Sequence, residues 1–306
     1  MINFRYHLVS IIAVFLSLAV GITVGIAAVN GSVLSGLRTQ VDGLRAAGAA
    51  QQHDIQALQR RVSHDNQFTA AVASRLVAGK LAGRTVIMIA TDAVPPQTAD
   101  AVQQTLTRSG ARLTGRVQLL PGFTDPKRAA ELTAYATSDV LPAGFQLPET
   151  DDASLLGAAL LGYVLVGRDG GRHKPAPKDT ATVLTGLASL QLVRTTGEAA
   201  AAEVAVLLTA GRPDGPRLRA VTDLAAALDR DGKGAVVAGD LAAAGPGGAL
   251  SAVRADQSLA AEVSTVDNMD TAAGQVATVY ALREQAGGGA GQYGVAVNAE
   301  AALPAG

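Results

Sequence analysis

The distribution of apolar and polar positions divides the chain into three stretches. Leu8–Val29 is a run of 22 residues without a charged side chain. As a helix it is about 33 Å long, enough to cross a bilayer. After Gly31 the pattern changes to a seven-residue repeat. Its a positions are Leu34, Val41, Gly48, Ile55, Val62, Thr69 and Leu76, and its d positions are Leu37, Leu44, Gln51, Leu58, Asp65 and Val72. Nine of these thirteen are apolar, which predicts a coiled-coil helix interrupted at Gly48, Gln51, Asp65 and Thr69. The alternative is an amphipathic helix packed on its own domain. Gly79-Lys80-Leu81-Ala82-Gly83 reads as a joint.

Beyond the joint, strand and helix signals alternate. The strands fall at 84–91, 111–119, 190–195, 203–208, 235–238 and 262–266. The helices fall at 95–108, after Asp125-Pro126, and near 154–161, 180–187, 217–230 and 271–285. Near-continuous apolar strands separated by amphipathic helices predict an α/β sandwich domain with a mainly parallel sheet buried on both faces. The organisation is therefore a membrane anchor over 1–30, a coiled coil over 31–80 and an extracytoplasmic α/β domain over 81–306. The polar Gly/Pro-bearing segment 167–179 marks where that domain would divide into two halves.

The anchor admits two readings. A cleavable signal peptide has a shorter apolar core and a small-x-small cleavage site. This run is too long, and Ile26-Ala27-Ala28 matches such a site poorly, so an uncleaved single-pass anchor in the cytoplasmic membrane is expected. The seven-residue tail stays inside and everything after Asn30 lies outside. In a two-membrane envelope, the outer membrane is the alternative location. Ser17, Gly21 and Gly25 recur every four residues, the small-residue spacing that lets two membrane helices approach closely.

Composition narrows the functional classes. With 25 Lys+Arg against 26 Asp+Glu the formal charge is −1, which excludes a strongly basic nucleic-acid binder. No cysteine is present, so disulfides, thiolate metal sites and a cysteine nucleophile are excluded. Aromatic residues make up only 3%, too few for the girdles of an outer-membrane β-barrel. His7, His53, His64 and His173 are scattered, and Gly245-Pro-Gly247-Gly248 lacks nucleotide-binding spacing. No HExxH or GxSxG occurs. Neither an enzyme nor a resident metal or cofactor is expected.

Two sets of residues remain as candidate sites. On the repeat, Leu37, Val41, Leu44, Ile55, Leu58 and Val62 form the association seam. The e and g positions beside it carry Arg38, Arg45, Arg61 and Arg75 against Asp54 alone. Parallel self-pairing faces Arg45 and Arg61 with Gln40 and Asn66. A heterologous membrane protein with an acidic helix would match the arginines better, and both a homo-oligomer and such a partner stay open. In the domain, Asp92, Asp240, Asp267 and Asp270 each follow a predicted strand, where an open α/β sheet has its ligand crevice. Helix capping accounts for the same residues, Asp270 before Thr271-Ala-Ala above all.

Four stretches carry a family resemblance: the start MINFRYHLVSIIAVFLSLAVGITVG, the joint NQFTAAVASRLVAGKLAGRTV, the strand GARLTGRVQL, and Val263–Gly294, VSTVDNMDTAAGQVATVYALREQAGGGAGQYG. Together they resemble the actinobacterial copper transporter family typified by MctB, which includes the SteB-type envelope proteins. The resemblance spans essentially the whole chain. It implies an envelope protein with an N-terminal membrane helix, a coiled coil and an extracytoplasmic α/β domain. It also implies two functions. One is non-enzymatic scaffolding or regulation of cell separation and peptidoglycan hydrolases through a membrane partner. The other is copper efflux or homeostasis. Copper enters by resemblance alone, because the chain has three methionines, Met1, Met88 and Met269, and no cluster of soft ligands.

Overall fold

The computed structural model describes residues 4–138, 141–142, 144–167 and 175–305, and of residues 4 and 27–34 the backbone alone. Residues 168–174, including His173 and most of the polar segment predicted at 167–179, lie outside the described residues. The chain divides into two compact units, Met1–Asp65 and Asn66–Gly306.

The described residues of the first unit are all helical, part of one helix, α1 (Phe4–Val77). Within it, Arg5–Ile26 is long and apolar enough to cross a membrane. The hydroxyls of Ser17 and Thr23 donate to the carbonyls of Val14 and Ala19. Both hydroxyls are thereby satisfied inside their own helix. From residue 35 to the end of the unit every side chain is exposed, the seam residues among them.

The second unit opens with the last turns of α1. Ala73 and Val77 are buried there, and Gly79 and Gly83, at φ 71° and 75°, turn the chain into the first strand. The left-handed conformation that glycine tolerates ends the helix at the predicted joint. There follow β1 (Thr85–Ala90), α2 (Pro96–Arg108), β2 (Arg112–Leu119), α3 (Ala129–Ala136), α4 (Ala153–Leu165), α5 (Pro177–Ser189), β3 (Val193–Thr196) and β4 (Val204–Thr209). The remainder is α6 (Gly215–Asp231), β5 (Ala235–Gly239), α7 (Leu241–Ala244), α8 (Ala249–Ala255), α9 (Gln257–Glu262), β6 (Ser264–Val266), α10 (Ala272–Ala286) and β7 (Gln292–Tyr293).

The strands form one sheet in the order β3-β2-β1-β4-β5-β6-β7, parallel except for β3, which pairs antiparallel with β2 at the edge. Strands on both sides of 167–179 thus enter a single sheet. Alternation along the strands separates two apolar layers. Ile87, Ile89, Leu207 and Val237 face a layer built with α3, α4, α5 and α6. Val86, Met88, Val206 and Ala238 face the opposite layer, built with α2, α10 and the end of α1. Burial on both faces explains why β1, β4 and β5 read as unbroken apolar runs.

Most predicted elements lie within a few residues of the observed ones. The short helices α7–α9 and strand β7 carry too little periodicity to be read from sequence. One helix start is corrected: α10 is capped by the Thr271 hydroxyl, which accepts from the Gly274 N–H at 3.1 Å, whereas Asp270 is exposed one position earlier.

Candidate functional site: a helical seam and a switch-point crevice

In the seam, Leu44 is 69% exposed, Leu58 61% and Val62 64%, and Leu37, Val41 and Ile55 are exposed as well. Arg45 forms an i,i+3 ion pair with Asp42 at 3.6 Å, both side chains open to solvent. Such a pair contributes little and leaves the guanidinium accessible. In the next unit the packing face rotates off the a/d positions: Ala73 and Val77 are buried, while Leu76 stays exposed. Asn66 is held by the domain, its side-chain oxygen accepting the Ala272 N–H, so it does not stand free to face an arginine in a paired coil.

In the membrane helix, Ser17, Gly21 and Gly25 lie on one side, and a Cβ added at either glycine would meet nothing within 4 Å. The backbone there is open to close approach.

The four strand-end aspartates have separate surroundings. Asp240 caps α7 by accepting from the Ala243 N–H, and it also takes the Gly211 N–H at 3.0 Å, tying the ends of β4 and β5 together. Asp267 is fully buried. It accepts from the Val295 N–H at 2.7 Å and pairs with Arg254 Nη2 at 3.0 Å. Burial pulls the Arg254 pKa down, against the opposing pull of Asp267. Arg254 also donates to Thr265 Oγ1, Asn298 Oδ1 and the Tyr293 carbonyl. This buried pair locks the C-terminal segment against β6, drawing on Thr265, Asp267 and Tyr293 of the Val263–Gly294 stretch. Gly294, at φ 133°, belongs to the same lock, because a Cβ there would stand 2.2 Å from the Asp267 carboxyl carbon.

Of the four, Asp92 lines an open crevice. Between β1 and β4 the chain leaves in opposite directions, to α2 in one layer and to α6 in the other, and a cleft opens outside the strand ends. Its volume is about 230 Å³. Thr91, Asp92, Leu119, Arg212, Arg217 and Val221 are among the residues around it. Arg217 lies 4.0 Å from Asp214, the cap of α6. Searching strand ends for acids finds Asp92 but passes over Arg212. The signal for it was the turn Gly211-Arg-Pro-Asp-Gly after the fully buried β4. Among the described residues, no three His, Asp or Glu side chains are grouped to hold a metal ion.

The elements describe an α/β domain preceded by one long helix whose first part is long and apolar enough to cross a membrane and whose later part is exposed. Residues 1–304 match the family described as "Copper transport outer membrane protein, MctB". The chain is similar to the copper transporter MctB of Mycobacterium tuberculosis (strain ATCC 25618 / H37Rv), 31% identical over 309 residues and covering 96% of both chains. It is equally similar to the copper transporter MctB of Mycobacterium leprae (strain TN), 31% identical over 306 residues with the same coverage. The chain therefore belongs to the MctB family.

Proposed function

We propose that this member of the MctB family is a non-enzymatic, membrane-anchored scaffold or regulator of the cell envelope, serving cell separation or peptidoglycan-hydrolase control by docking a second helix on its seam. The observation that carries this reading is the exposure of Leu37, Val41, Leu44, Ile55, Leu58 and Val62 on one helix. Apolar residues repeating at heptad spacing gain burial only when another helix covers them. Arg45 and Arg61 beside the seam favour an acidic partner helix over a second copy. In this reading Arg5–Ile26 is an uncleaved anchor, with Ser17, Gly21 and Gly25 as its pairing face and the domain outside the cytoplasm.

The test is Leu44→Asp with Leu58→Asp in the full chain, followed by crosslinking in membranes and sedimentation. Complex formation is expected to vanish with the domain still folded. Undiminished association would remove the support for scaffolding.

A second reading, copper efflux or homeostasis, is supported by the copper-transporter names of the relatives. Copper would then be cargo. Its difficulty is chemical: Met88 and Met269, the described thioethers, are buried in one apolar layer, and copper prefers accessible sulfur and imidazole ligands. Competition titration of Cu(I) against the full chain separates the readings. Tight stoichiometric binding abolished by Met269→Ala favours copper handling, and weak binding typical of a scattered His/Met surface favours the scaffold.

A further inference from the structure

The crevice between β1 and β4 has a pattern of unmet polar needs that specifies a ligand. Its floor is apolar, formed by Leu119 and Val221, which are 2% exposed each. Thr91 lines it and is only 8% exposed, and its buried hydroxyl has no hydrogen-bond partner among the described residues. A buried hydroxyl left unmatched costs free energy, and a bound polar group recovers it. On the rim, Asp92 and Arg212 are exposed, and neither has an ion-pair partner among the described residues. Arg212 Nη2 rests 3.3 Å from where a Cβ on Gly245 would stand, so the bare Gly245 backbone makes room for the guanidinium. Arg217 also lines the crevice, 4.0 Å from Asp214, which offsets its charge. The free acid Asp92, the free guanidinium of Arg212 and the apolar floor do not match a simple anion, which the acid would repel, nor a simple amine.

We propose that this crevice binds a small zwitterion of the amino-acid or dipeptide class. The ligand carboxylate pairs with Arg212, its ammonium with Asp92, and its aliphatic part lies over Leu119 and Val221. A guanidinium can take a carboxylate through two parallel hydrogen bonds, which gives orientation as well as affinity. At about 230 Å³ the space is below the roughly 300–1,000 Å³ usual for larger ligands, which limits the occupant to one or two residues. The site lies in the α/β domain and does not depend on the seam.

The test is calorimetric titration of the full chain in detergent with glycine, L-leucine, D-leucine and L-alanyl-L-alanine, with acetate and butylamine as single-charge controls. At least one zwitterion is expected to bind saturably, at least tenfold more tightly than either control. Arg212→Gln and Asp92→Asn should each weaken it by tenfold or more while the urea midpoint stays at the wild-type value. No binding by any of the four, or acetate binding as well as the zwitterions, overturns the proposal on the wild-type protein alone. Unchanged affinity in both variants overturns it as well.

Discussion

The side-chain oxygen of Asn66 accepts the backbone N–H of Ala272 at 2.8 Å, joining the end of α1 to the first residue of α10 across more than two hundred positions of sequence. The first N–H groups of a helix have no partner within it. Here Thr271 serves Gly274 and Asn66 serves Ala272, so two of these donors are met from different parts of the fold. Replacing Asn66 with Ala should lower stability by about 1 kcal/mol, the usual cost of a lost helix cap. Asn66→Asp, which keeps the acceptor and adds a charge that suits a helix N-terminus, should cost less. Urea midpoints of the two variants check this, and equal midpoints for Asn66→Ala and wild type would disprove it.

The Arg254–Asp267 pair should behave as a buried salt bridge. Removing one partner leaves an uncompensated charge, so Arg254→Met should destabilise the domain by about 3–5 kcal/mol. Adding Asp267→Asn to it should recover part of that loss, since the amide oxygen still accepts from Val295 and Ala296 without a charge. Limited proteolysis reads the same change locally, with cleavage after residue 294 rising in the single variant.

Gly294→Ala combines an unfavourable φ with a clash against the Asp267 carboxyl group. A loss of about 1–3 kcal/mol is expected from backbone strain alone. An unchanged thermal midpoint for this variant would mean that the turn after β7 rearranges freely.

Glu203 provides a pH signature. Burial pushes its pKa up, but the ion pairs with Lys233 and with Arg84 at 3.8 Å outweigh that and hold it below the ordinary glutamate value. An acid whose folded pKa is depressed adds stability above its unfolded value, about 4.3, and loses it as pH falls through the folded value. Wild-type stability should therefore drop below about pH 4.3 more steeply than that of Glu203→Gln. Parallel slopes from chemical denaturation between pH 6 and pH 3 would count against the pairing.

Charge reversal at the seam distinguishes a partner from a second copy. Arg45→Glu with Arg61→Glu should release an acidic partner helix through like-charge repulsion, while self-association changes less. Crosslinking in membranes measures both species together. In the same preparation, protease added outside spheroplasts should digest the domain, as an exterior location after Asn30 requires.

Local pattern was enough to read the membrane-crossing helix, the joint at 79–83 and the alternation that builds a parallel sheet. Chain connectivity and burial period act within a few residues, and sequence displays them directly. The heptad repeat was also visible, but not where it yields to domain packing: the buried Ala73 and Val77 are set by contacts with residues far along the chain. Strand order decided more still. Four aspartates that look alike after their strands became a helix cap and strand tie, a buried ion-pair partner, an exposed neighbour of a cap and a crevice-rim residue. What separates Asp92 from Asp267 is which strands lie beside each and where Arg212 and Arg254 arrive. Those neighbours come together only when distant segments pack, so the tertiary structure alone could decide them.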